Sequence, residues 1–170
     1  MTIFFIVFIL HWYLSLFSQT FFLHRYAAHS MFRMNAFWEK FFYFFTWITQ
    51  GSSYLSPYAY GILHRLHHAF TDTENDPHSP SYTKGLFPLM WKTKQIYGDI
   101  NSDKFPVDDK FMKNLPMWRS FDRFVSSFGI RIAWGVIYFL FYLAFATQWW
   151  MWLLFPITCL MGPVHGAIIN

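Results

Sequence analysis

Apolar residues fall along the chain in three long runs, with polar residues returning between them. Thr2 to Leu23 (TIFFIVFILHWYLSLFSQTFFL) is 22 residues without a charge, enough for a helix to cross about 30 Å of hydrocarbon. It lacks the basic start of a signal peptide, and its apolar run is too long for a signal's hydrophobic region. From Ile132 to Asn170 there are 39 residues with no Asp, Glu, Lys or Arg. That length predicts two crossings, over 128–146 and 149–170, with the ATQWW stretch at 146–150 turning between them. Trp149, Trp150 and Trp152 fit an interfacial aromatic belt. The middle run, 41–63, is strongly apolar only from Phe41 to Ile48, after which Gln50, Gly51, Ser52, Ser53, Ser56 and Pro57 interrupt it. Too short to span the bilayer, residues 36–60 predict an interfacial or re-entrant helix that returns to the side it left.

The polar part has its own pattern. TDTENDPHSPSYTKG, 71–85, reads as turns. The stretch 69–125 contains amphipathic pieces such as MWKTKQIY (90–97) and predicts a helical cap. The expected fold is therefore an all-α integral membrane protein. It comprises a transmembrane helical bundle of about three crossings (2–23, 128–146 and 149–170), the re-entrant segment 36–60 and a cytoplasmic helical cap, all in one domain over residues 1–170.

Composition agrees. Hydrophobic residues make up 55% of the chain and charged residues only 13%, against about a quarter charged in soluble domains. The net charge is +4, but its placement says more. Residues 69–125 hold eight Lys/Arg and eight Asp/Glu, leaving Arg25, Arg33, Lys40, Arg65 and Arg131 against Glu39 alone. The positive excess thus flanks the apolar runs and marks their cytoplasmic ends. The implied location is an integral membrane one, the bacterial inner (plasma) membrane, with the polar cap in the cytoplasm. No basic face suited to nucleic acid is present. Cys159 is the single cysteine, which excludes a disulfide framework and a thiolate metal site.

The chemistry lies in the histidines. His64, His67 and His68 are spaced i, i+3, i+4, so on a helix they fall within about 60° of one another and face one point. His24 and His29 are i, i+5, about 140° apart on an ideal helix; sharing a site requires His29 to sit past the helix end, on a turn that swings back. An even number of crossings between the two clusters, as the re-entrant segment provides, puts them on the same side. Neutral imidazole binds iron, zinc, copper and nickel. Five imidazoles exceed the four ligands zinc normally takes, which points to two metal ions, and iron is the metal suited to activating oxygen. His11, His78 and His165 read as polar tips at a membrane interface, with His11 also placed to pair inside the bundle.

HRYAAH (24–29), HRLHH (64–68) and TDTENDPH (71–78) together resemble the integral-membrane fatty-acid desaturases, particularly the delta-9 acyl type. Their first box reads H-R-x-x-x-H and their second H-R-x-H-H, followed by an acidic run ending D-P-H. GPVHGAIIN at the C-terminal end resembles the start of the family's last membrane helix. The resemblance implies a di-iron site facing the cytoplasm, with His24, His29, His64, His67 and His68 as ligands and Asn170 acting through a water. Asp72 and Asp76 are placed to accept the outer N–H of ligand histidines, or else to build the turn that Asp76-Pro77 starts. Dioxygen would be the co-substrate. An acyl-CoA, acyl-carrier-protein or acyl-lipid would supply the chain, and a ferredoxin or cytochrome the electrons. An unactivated methylene offers no acidic proton and no electrophilic carbon, so a redox metal with dioxygen is the chemistry that can attack it.

The sequence departs from the family pattern in three places. A histidine four residues after the helix Asn, and a third box H-x-x-H-H, are expected beyond Asn170, so the sequence reads as C-terminally incomplete and unable alone to finish a di-iron centre. One crossing precedes the first box where animal members have two. Ile62 and Leu63 stand where animal acyl-CoA enzymes carry an Arg-Asp pair, which leaves the acyl carrier open. The competing functions are a related di-iron hydroxylase or alkane monooxygenase and, in another class, a haem-binding membrane electron carrier. Three histidines within one helical turn disfavour the latter.

Overall fold

A computed structural model of the chain describes residues 1–82 and 84–169. Among these residues it contains helices and no strands. Helix α1 (Thr2–Ser18) runs without a break into a π-helical segment, Gln19–Ala28, giving 27 helical residues in all. There follow α2 (Ala36–Gln50), α3 (Pro57–Phe70), α4 (Leu86–Asn101), the short α5 (Asp109–Met112), α6 (Arg119–Val125) and α7 (Phe128–Phe145). The chain ends in a 3-10 segment (Trp149–Leu154), α8 (Phe155–Cys159) and α9 (Met161–Ile169).

Local chemistry sets several of these boundaries. The Asn35 side chain accepts from Trp38 N at 3.0 Å and starts α2; Ser56, followed by Pro57 in the first turn, caps α3. Gly51, at φ +53°, ends α2 in a conformation that costs glycine nothing, and the Tyr138 ring fills the space a Cβ would need.

The chain divides into two compact units. One comprises Met1–Thr20, Asn35–Leu55 and the chain from Trp118 onward; the other comprises Phe21–Met34 and Ser56–Met117. The first unit holds the most apolar helices. Phe4, Tyr142 and Met151 form a buried cluster, with Phe141, Trp152 and Phe155 packed around it. Hydrogen bonds tie its helices together: Thr49 donates to Ser18 at 3.1 Å, the Tyr142 and Thr158 hydroxyls pair at 2.7 Å, and Ser52 donates to the Cys159 carbonyl at 2.7 Å. Hydroxyl pairs of this kind join helices where no water is present.

Two helices, Thr2–Ala28 and Phe128–Phe145, are long and apolar enough to cross a membrane, and only 22% and 11% of their most apolar windows are buried. A helix in the core of a soluble protein would hide such residues. Here Ile6, Ile9, Leu10 and Leu14 on α1, and Val136, Ile137, Leu140 and Leu143 on α7, stand exposed, as lipid-facing residues do. The stretch expected as one further crossing, 149–170, is not a continuous helix over its described residues. Proline has no N–H and clashes with the preceding turn, and accordingly Pro156 lies in the first turn of α8 and Pro163 near the start of α9. Helix α2 has 15 residues, about 22 Å of rise, short of the hydrocarbon thickness.

In the second unit, Tyr58, Ala59, Ile62 and Leu66 of α3 pack with Ile100 of α4, Phe111 of α5 and Leu115. The opposite side of α3 carries the histidines.

Candidate metal centre

All five predicted histidines belong to the second unit, on two elements. His24 lies within the π-helical segment and His29 just past its end. The i, i+5 spacing, awkward for an α-helix, is the natural repeat of a π-helix, whose hydrogen bonds also close over five residues. The amide of His29 donates to the carbonyl of His24 at 3.0 Å, and Met31 to Arg25 at 3.0 Å beyond it. This closure, followed by Ser30 at φ +52°, swings His29 back over His24.

Ring nitrogens of His24, His29 and His64 converge, all within 4.8 Å of one another, and His68 adjoins this group through His64. His29 Nε2 lies 3.1 Å from His24 Nε2 and 3.0 Å from His64 Nε2, and His68 Nε2 lies 3.0 Å from His64 Nε2. A ring nitrogen has one in-plane function, either an N–H or a lone pair. The nitrogens of His29 and His64 each face two neighbours, so imidazole-to-imidazole hydrogen bonds alone cannot satisfy both. A cation among them can. Ligand nitrogens 2.0–2.1 Å from one ion sit about 2.9 Å apart at right angles and about 3.4 Å apart at tetrahedral angles; the observed spacings fall between. Burial first, and then the neighbouring imidazoles of His24, His68, His29 and His67, push His64 down to about 3. Burial, His68 and Arg65 also lower His29. These two rings are thus held toward the neutral form, with lone pairs to offer. The residues present fit a metal ion bound through nitrogen.

His67 is arranged differently. Its Nδ1 lies 2.9 and 3.1 Å from the two carboxylate oxygens of Asp76, which leaves Nε2 as the nitrogen open to a ligand. Its ring centroid is 5.6 Å from that of His68 and 6.4 Å from that of His64. Asp76 is fully buried. Burial by itself would raise its carboxyl, but the hydrogen bonds from His67 and from the amides of His78 and Asp72 outweigh that and lower it. A carboxylate behind a histidine fixes the ring's orientation and raises its basicity.

Asp72 is placed elsewhere. Its amide donates to Asp76, while its own carboxylate meets Ser81 Oγ at 3.5 Å and reaches none of the histidines. Asn170 lies outside the described residues. Of the three histidines expected at an interface, His78 lies in the second unit, its Nδ1 2.9 Å from Thr93 Oγ1 and its ring 6.1 Å from His67. In the first unit, His165 is buried, with Nδ1 3.4 Å from Ser15 Oγ, and His11 lies 3.4 Å from the Tyr138 hydroxyl.

Sequence reading missed three supports. Lys92 donates to the Asp76 carbonyl at 3.0 Å, Thr93 to the Pro77 carbonyl at 3.1 Å, and Arg65 donates to the ends of two segments described below. The two α4 residues lie in the amphipathic stretch 90–97, but nothing in its pattern reveals their partners.

The described residues thus combine a histidine-rich candidate metal centre with two helices long and apolar enough to cross a membrane. The chain belongs to the fatty acid desaturase family, whose model matches residues 1–169. Over 64 residues, 37% of this chain and 20% of the relative, it is 41% identical to the delta-9 desaturase-like 5 protein of Arabidopsis thaliana. Over 68 residues, 40% of this chain and 21% of the relative, it is 35% identical to delta-9 acyl-lipid desaturase 1 of the same plant. The matched stretch thus spans about a fifth of either relative. Both relatives come from a plant, so they lend no support to a bacterial inner membrane. No solved structure matches the chain.

Proposed function

We propose that the chain carries the iron-binding histidines of a fatty-acyl desaturase that forms a cis double bond, at the delta-9 position, in a saturated acyl chain. The observation that carries this reading is the convergence of the His24, His29 and His64 ring nitrogens, with His68 Nε2 3.0 Å from His64 Nε2. His67, backed by Asp76, completes the ligand set offered to two irons by the described residues, and Asn170 would join through a water. Iron, when bound, supplies the one-electron chemistry with dioxygen that an unactivated methylene requires. The reaction takes an acyl chain, one O2, two electrons and two protons to an unsaturated chain and two waters. This chain's own groups act on individual rings: Asp76 orients His67, and burial keeps His64 unprotonated.

Membership of a membrane-associated family and two exposed apolar helices support an integral-membrane protein. In this reading the segments 2–23, 128–146 and 149–170 cross the bilayer, 36–60 dips in and returns, and 69–125 caps the histidines on the cytoplasmic side. An acyl-lipid is the favoured substrate form, in line with the name of one relative, ahead of acyl-CoA or acyl-carrier-protein; a ferredoxin or a cytochrome would supply electrons.

Expressed from its whole reading frame in a host lacking desaturases, the protein should convert saturated membrane acyl chains to cis-monounsaturated ones. His64→Ala should abolish that product. An alcohol in place of the alkene would overturn the reading in favour of a hydroxylase, and a Soret band without non-haem iron would favour a haem carrier.

A further inference from the structure

Arg65 lies between His64 and His67, yet its side chain turns away from their common face. All five of its N–H groups are used. Nε donates to the Ala28 carbonyl at 2.7 Å; Nη2 donates to the Ala27 carbonyl at 3.0 Å and to Ser30 Oγ at 3.1 Å; Nη1 donates to the carbonyls of Phe111 at 3.0 Å and Lys113 at 2.7 Å. Four of the five acceptors are backbone carbonyls and none is a carboxylate. Ala27 and Ala28 close the π-helical segment, where helical carbonyls lose their partners and negative charge accumulates. A planar fork of fixed geometry can bridge several such acceptors at once, which a lysine ammonium cannot do.

Geometry makes this clamp consequential. Ala27, Ala28 and Ser30 lie between His24 and His29, or directly after them. Arg65 is flanked by His64, His67 and His68. Close by, α3 approaches the same helix end at Gly61, where a Cβ would lie 3.4 Å from the Ala27 carbonyl oxygen. One guanidinium thus joins the two segments that bring the imidazoles together, and it also anchors the turn after α5.

We propose that Arg65 is a positioning residue for the metal centre: by binding the carbonyls of Ala27 and Ala28 it sets the distance between the His24/His29 pair and the His64/His68 pair. This rests on the reading of those histidines as metal ligands. Arg65 makes no contact with metal or substrate itself. It holds the nitrogens pre-spaced, so that binding an ion need not first draw two helices together.

The test uses Arg65→Lys and Arg65→Gln in the full-length protein in detergent, with cobalt(II) as a spectroscopic probe and His64→Ala as the ligand-loss control. Three readouts are taken: cobalt affinity, the visible ligand-field spectrum, and hydrogen exchange at the amides of His29, Ser30 and Met31 in metal-free protein. Both Arg65 variants should bind cobalt about 10–100-fold more weakly, the loss typical when a ligand's support is removed. Their spectra should be altered and the three amides should exchange faster, while α4 keeps wild-type protection. Arg65→Lys should not rescue, because charge without the fork cannot bridge the carbonyls. Wild-type affinity and spectrum in Arg65→Lys would overturn the proposal, as would loss of protection spread evenly over the whole second unit. Wild-type protein that binds no cobalt would instead overturn the ligand reading beneath it.

Discussion

Two aspartates in one short loop have different expected consequences. Asp76 is buried and accepts from His67 and from two backbone amides, so Asp76→Asn leaves His67 without a carboxylate and disturbs the turn. It should weaken metal binding about 10–100-fold, read by competition with a chelator. Among the described residues, the Asp72 side chain accepts from Ser81 at 3.5 Å, and Asp72 has φ +58°, which asparagine tolerates well. Asp72→Asn should leave metal affinity within about twofold, because no ligand leans on it. From the sequence the two were equivalent, both acidic, both in turn-forming surroundings and both near the second box. Which one faces a histidine depends on how the loop closes onto Lys92 and Thr93, a long-range fact that no local pattern records.

Among the elements, α3 was legible because its apolar and histidine faces both follow the helical repeat. The first-box helix was not. A charge-free run predicts a helix, but the change from α to π closure over Gln19–Ala28 leaves no sequence mark apart from the i, i+5 spacing, which looks wrong for an α-helix. The approach of α3 to that helix end rests on Gly61, where an added Cβ would meet a Leu115 methyl at 2.5 Å as well as the Ala27 carbonyl. Gly61→Ala should therefore destabilise the protein by about 1–3 kcal/mol through overpacking, measured by thermal unfolding. In a Leu115→Ala background that cost should shrink, because the side chain that must give way is gone; an unchanged cost would place the strain on the backbone of Ala27. The 149–169 stretch was legible as apolar but not as broken, although Pro156 and Pro163 were there to break it.

The whole molecule combines exposed apolar helices in one unit with clustered imidazoles in the other. If Phe128–Phe145 crosses the bilayer, Val136→Lys and Leu140→Lys, each on its exposed face, should impede insertion by about 2.5–3.5 kcal/mol apiece near the helix centre. Carbonate extraction and glycosylation mapping would show it, and a protein that stays soluble and unaffected would contradict the membrane reading. The central claim, however, is that these histidines hold iron. Iron K-edge absorption on purified, iron-loaded protein, set beside His64→Ala, tests it most directly. The expected result is stoichiometric non-haem iron with a nitrogen-rich shell near the imidazole distance of about 2.0–2.1 Å known for zinc, lost in the variant. Iron at background level in the wild type, or equal iron in both proteins, would contradict it.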